Sequence, residues 1–184
     1  MSSEIAPILD RLAAVLGAPD GDPTPLDGGI TNRNYAVTMD GERYVVRLPG
    51  KDTELLLIDR SAELEANKAA ATLGIAPPVA AMLHDPPCIV TRFLDGRVMQ
   101  AEELRDPAVL AEVAGALRIF HERGPALPAV FDSFQIPIDY AATAREHGAE
   151  PPDGYLEAME HATQIKAALQ GPEHTRVPCH NDLL

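Results

Sequence analysis

Apolar residues recur at helical spacing near the start of the chain. Ile5, Ile8, Leu9, Leu12, Val15 and Leu16 predict one amphipathic helix over residues 3–16, with Ser3 placed to cap it and Gly17 to stop it. The Pro-, Gly- and Asp-rich stretch 20–25 then reads as a linker. Beyond it the period changes from that of a helix to that of a strand. Two β-rich runs, 36–39 and 42–48, flank Asp40-Gly41, a pair that tolerates the positive φ of a tight hairpin turn. Leu26-Asp-Gly-Gly-Ile-Thr-Asn-Arg-Asn-Tyr35 reads as a Gly-rich loop entering that hairpin. An Ala-rich helix follows from Ile58 to Leu73, closed by Gly74 with Pro77 and Pro78 beyond. Strands at 79–83 and 88–94 are joined across His84-Asp-Pro-Pro87, and the second breaks at Asp95-Gly96.

From Ala101 the pattern is helical. Asp106-Pro107 starts a helix whose face is Val109, Leu110, Val113, Leu117 and Phe120, with Gly124 as its stop. A Pro-spaced connector, 125–137, leads to helices at 139–147 and 153–169, the latter with Tyr155, Met159, Ala162, Ile165 and Leu169 spaced for a core stripe. Strands interleaved with two helices as far as Leu94, then helices alone, make an α+β chain without internal repeats.

Charge narrows the range of partners. With 15 basic against 28 acidic residues, net charge −13, and no basic stripe, the chain is not expected to bind nucleic acid or an anionic membrane. An acidic surface suits a cationic small molecule, and it equally suits plain solubility. Cys88 and Cys179 lie far apart without metal-ligand spacing and read as reduced thiols of a cytoplasmic protein. No apolar run approaches the ~18 residues of a membrane span.

Several stretches carry chemistry, each with a plainer alternative. Gly28 and Gly29 allow the backbone close to a ligand, and Thr31, Asn32 and Asn34 set small hydrogen-bonding groups beside exposed N–H donors, as phosphate oxygens require; a Gly-Gly pair also marks ordinary turns. Arg47 is a lone charge inside a β-branched run, directed either to solvent or to an anion. Glu63 in the next helix is either a surface acid near the helix start or the partner of that cation. The break at Asp95-Gly96 is either a plain strand-to-helix turn or the hinge to another lobe, where backbone groups could bind an adenine edge. His180-Asn181-Asp182, on a short apolar approach from Val177, is either a polar turn or a loop presenting a carboxylate base to a hydroxyl. Cys179 beside His180 does not make a thiol–imidazole pair, because neighbours in an extended segment point to opposite faces.

In order, these signals are more specific than any one of them. Gly28-Gly-Ile-Thr-Asn-Arg-Asn-Tyr35, Tyr44-Val-Val-Arg-Leu-Pro-Gly50, Ile58-Asp-Arg-Ser-Ala-Glu63, Gly74-Ile-Ala-Pro-Pro78, Phe93-Leu-Asp-Gly-Arg97, Phe120-His121 and Cys179-His-Asn-Asp182 resemble the bacterial choline/ethanolamine kinase branch of the aminoglycoside-phosphotransferase and protein-kinase-like superfamily. The resemblance implies a protein kinase-like bilobal fold: a nucleotide-binding lobe over 1–94, built of an antiparallel sheet plus helix, and over 95–184 the first helices of an incomplete α-helical lobe ending in the catalytic loop. It places Gly28, Gly29, Thr31, Asn32 and Asn34 over the phosphates of ATP, makes Arg47 the strand cation and Glu63 its partner, and puts Thr91 and Phe93 at the adenine. Asp182 becomes the catalytic base, and His180 shapes its loop. It further implies Mg²⁺, with ligands beyond Leu184, and a small amino alcohol, choline or ethanolamine, as substrate. On that reading the chain is part of a longer kinase and does not turn over alone. An aminoglycoside or other small-alcohol kinase, and a non-catalytic module binding a nucleotide or a partner, are the alternatives.

Overall fold

The computed structural model describes residues 4–27, 32–50, 58–169 and 175–181. Helix α1 (Ala6–Leu16) carries Pro7 in its first turn, where a missing N–H costs nothing, and ends on Gly17. Its stripe of Ile8, Leu9 and Leu12, with Ile5 ahead of it, is buried on one face of a five-stranded antiparallel sheet. Those strands are β1 (Thr24–Leu26), β2 (Asn32–Met39), β3 (Glu42–Pro49), β4 (Val79–His84) and β5 (Pro87–Arg92), in spatial order β1-β2-β3-β5-β4. Asp40 and Gly41, at φ 49° and 74°, form the tight turn between β2 and β3. Alternation then fixes the faces. Tyr35, Val37 and Met39 on β2, Tyr44, Val46 and Leu48 on β3, and Cys88 and Val90 on β5 form one core cluster with α1. Residues between them project from the opposite face.

Gly17 lets α1 reach the hairpin. Its φ of 87° with ψ of 178° belongs to glycine alone, and a β-carbon there would fall inside the Cβ of Asp40. Gly17→Ala is therefore expected to lower unfolding stability by about 1–3 kcal/mol, read from urea denaturation beside the unaltered chain.

Helix α2 (Arg60–Thr72) lies beside β4 and starts on Asp59, whose Oδ1 accepts from the N–H groups of Ser61 at 2.8 Å and Ala62 at 3.1 Å. After β5 a short 3₁₀ turn, Ala101–Arg105, leads into α3 (Pro107–Arg123), capped by Asp106 and anchored by buried Phe120. Helices α4 (Ile136–Glu146) and α5 (Tyr155–Leu169) complete the described elements. The Tyr155 hydroxyl donates to the Pro137 carbonyl at 3.0 Å, and Lys166 on α5 pairs with Asp132 in the connector at 3.0 Å.

The Lys166 hydrogen bond, helped by the Phe134 N–H, holds the Asp132 carboxyl below its ordinary range. A depressed carboxylate stabilises the fold above its unfolded value and stops doing so as pH falls through its folded value. Asp132→Asn is thus expected to melt below the unaltered chain at about pH 7, with the gap closing below about pH 4. Thermal melts across that range measure it.

Several boundaries depart from the sequence reading. Residues 24–26, expected in a linker, form the edge strand β1, with Thr24 opposite Ala36 and Leu26 opposite Asn34; an edge position tolerates Pro25. Strand β2 starts at Asn32, ahead of the expected 36, and β5 stops at Arg92, short of Leu94. Helix α1 starts at Ala6 without a side-chain cap, and Ser3 lies outside the described residues. Leu110, Ile165 and Leu169 are 53%, 52% and 66% exposed, and α5 buries no residue. Periodicity reports a helical face but not what covers it.

Candidate functional site

The sheet face opposite α1 carries the polar residues. Asn34 on β2 stands directly across from Arg47 on β3, Arg47 across from Ile89 on β5, and Ile89 across from Met82 on β4. The adjacent row runs Ala36, Val45, Thr91 and Val79. Directly opposed residues share a face, so a guanidinium and an amide lie next to a half-buried, mainly apolar strip.

Arg47 meets α2 above this face. Its Nη1 lies 3.2 Å from Oε1 of Glu63, whose Oε2 takes a second bond of 2.7 Å from Arg60 Nη1. Glu63 is 18% exposed and Arg47 44%, so the acid is held inside while the cation faces outward. Asn32, Arg47, Arg60 and Glu63 line a hollow of about 10 Å³, room for about one water.

Asn32 and Asn34 sit on β2 rather than in the expected loop, because pairing with β3 extends to Asn32 opposite Pro49. Asn34 Oδ1 is buried with no hydrogen-bond partner among the described residues, an acceptor available beside Arg47. Gly28, Gly29 and Thr31 lie outside the described residues.

Thr91 is in the apolar row, and Phe93 follows the end of β5. The Phe93 N–H donates to the Arg43 carbonyl at 3.0 Å, the Arg43 guanidinium lies 3.7 Å from the Phe93 ring centroid, and its Nη1 is 2.5 Å from Asp95. That N–H is therefore committed within the fold.

Residues 175–181 form an irregular segment carrying His180, which is exposed. Asn181 takes φ 61°, a left-handed conformation that asparagine tolerates, and Asp182 lies outside the described residues. Pro178 packs against Gly124 at the end of α3, so closely that a β-carbon on Gly124 would stand 2.7 Å from Pro178 Cγ. His121, Phe131, Asp132 and residues 175–179 border a cleft of about 570 Å³, large enough for a small organic molecule. The described residues bring Arg47, Glu63, Asn32 and Asn34 together; His180 belongs to a separate segment, 175–181, that packs at the end of α3.

Arg47, 44% exposed, offers a charge that an anionic group could meet, and the strip beside it is mainly apolar. Mg²⁺ finds no counterpart: among the described residues no group of three or more His, Cys, Asp or Glu could hold a metal ion. Sequence reading did not single out Ala36, Val45, Ile89 or Arg60. Arg60 carried a signal, its spacing three residues before Glu63; Ile89 carried none, since strand register is not local information. Both cysteines are free thiols, and burial pushes that of Cys88 up to about 11. Among the described residues no helix is long and apolar enough to cross a membrane.

Residues 22–184 match the model of the phosphotransferase enzyme family. In fold, 97% of the chain is similar to 58% of a choline/ethanolamine kinase family protein from Mesorhizobium loti, with a TM-score of 0.72 and 27% identity. It is similar over 96% of its length to 60% of the choline kinase LicA from Streptococcus pneumoniae, at TM-score 0.66 and 21% identity. The aminoglycoside phosphotransferase APH(2")-IIa, in its ternary complex with streptomycin and ATP, is similar over 91% of the chain and 58% of its own, at TM-score 0.54 and 16% identity. The chain thus spans less than two thirds of the length of these relatives. No curated protein sequence matches it.

Proposed function

Because the chain belongs to the phosphotransferase enzyme family, we propose that it forms the ATP-binding part of a kinase that phosphorylates the hydroxyl of a small amino alcohol, choline or ethanolamine. The observation that carries this reading is the Arg47–Glu63 pair at 3.2 Å, which joins a central strand to the neighbouring helix and aims a cation over the polar end of an apolar face. Phosphoryl transfer asks chiefly for alignment and charge neutralisation, which such a cation supplies.

In this proposal residues 1–94 hold the nucleotide and 95–184 begin the acceptor lobe. The base of ATP lies on Ala36, Val45 and Thr91 near Phe93. Its phosphates lie under the loop of Gly28, Gly29 and Thr31, within reach of Asn32, Asn34 and Arg47. Asp182 orients the acceptor hydroxyl and takes its proton as the new O–P bond forms and the bond to ADP breaks, while His180 supports the loop. No step is assigned to Mg²⁺. Net charge −13 favours a cationic acceptor and disfavours nucleic acid and anionic membranes, and two free thiols fit a cytoplasmic protein. Fold similarity is greater to the choline/ethanolamine kinase family protein than to the aminoglycoside enzyme, 0.72 against 0.54, which ranks aminoglycosides second.

Two measurements test it. Calorimetric titration of the chain with ATP is expected to show one saturable site. ADP release by the whole protein, offered choline, ethanolamine and an aminoglycoside in turn, is expected with one of the amino alcohols. Failure to bind ATP sinks the kinase reading and leaves a partner-binding module; turnover with the aminoglycoside alone moves the substrate to the second reading.

A further inference from the structure

Glu63 has two arginines and divides its oxygens between them. Arg60, in the first turn of α2, holds Oε2 at 2.7 Å, and Arg47 holds Oε1 at 3.2 Å. The Arg60 bond is at the short end for an ionised pair and the Arg47 bond at the long end. Burial agrees: the Arg60 side chain is 22% exposed and that of Arg47 44%. Arginine and a carboxylate left to themselves form a two-pronged fork. With Oε2 taken, Arg47 has only one oxygen to bind, and the rest of its donors stay uncommitted to Glu63.

We propose that Arg60 is a positioning residue of the nucleotide site: by holding Glu63 Oε2 it limits Arg47 to a one-point tether and keeps the remaining guanidinium donors for phosphate oxygens. This rests on the nucleotide reading above and adds to it a residue that acts through Glu63 without touching the ligand. Without Arg60, Arg47 and Glu63 close into a fork. Two guanidinium groups facing one carboxylate become a neutral pair, and the pull on the phosphates falls.

The test is calorimetric ATP binding to the full chain carrying Arg60→Gln, Arg60→Lys, Glu63→Gln, and each Arg60 change combined with Glu63→Gln. Arg60→Gln is expected to weaken binding about tenfold. Arg60→Lys, which still places a cation on Oε2, is expected to lose only about threefold. Both losses vanish when Glu63→Gln is already present, because the effect passes through that carboxylate. Arg60→Lys keeps the charge and the helical turn, so it carries the same comparison should Arg60→Gln fail to fold, as thermal melts reveal. Unchanged binding in both single variants overturns the proposal. So does a further loss on top of Glu63→Gln, which would mean that Arg60 meets the nucleotide directly. If the unaltered chain does not bind ATP, the nucleotide reading falls first and this role with it; normal binding by the unaltered chain and both Arg60 variants sinks this role alone.

Discussion

Asp182→Asn is expected to lower phosphoryl transfer by the whole protein about a hundredfold to ten-thousandfold while leaving ATP affinity within about twofold. Asparagine keeps the size of the side chain but cannot take a proton, so an acceptor hydroxyl would be held without being activated. Arg47 and Glu63 sit on β3 and α2, whereas the segment leading to Asp182 is fastened elsewhere, by Pro178 against Gly124 at the end of α3. Single-turnover rates beside calorimetric affinities make the measurement. A rate loss below about tenfold removes Asp182 from the role of base; a parallel loss of ATP binding makes it part of the nucleotide site instead.

Arg47→Ala is expected to weaken ATP binding about a hundredfold, and kcat/KM of the whole protein by at least as much. The change removes the cation and also leaves Glu63, only 18% exposed, with its charge beside the incoming phosphates and Arg60 as its remaining ion-pair partner among the described residues. Arg47→Lys is expected to recover binding to within about tenfold: an ammonium supplies charge at the same strand position without the planar fork. Titration with ATP and with ADP distinguishes a contact to the terminal phosphate from one to the inner phosphates. Affinity unaltered in Arg47→Ala would mean that the guanidinium serves only to hold α2 on the sheet, and the nucleotide assignment would lose its main support.

Features set by neighbouring residues were legible in the sequence. Asp40-Gly41 encodes the β2–β3 turn because both positions take positive φ, and Gly17, Gly74 and Gly124 end the helices they follow. Ordered motifs from Gly28 to Asp182 also indicated the family, since the spacing of a cation, an acid and a late aspartate is a linear property. The Arg47–Glu63 pairing was suggested by that order, but its geometry is seen only in the fold.

Features that depend on distant residues were not legible. Thr24 to Leu26 become a strand because the edge of β2 is open to them, and nothing in Thr-Pro-Leu says so. Leu110, Ile165 and Leu169 carry the spacing of core residues and are exposed, because cover comes from packing. The largest difference lies in the site. Local sequence determined which turns, caps and helices the chain builds, because those depend on backbone geometry within a few residues. Only the tertiary structure decided that Ile89 and Asn34 flank Arg47 and that Arg60 shares Glu63, because strand register and helix docking are settled by burial across the whole sheet.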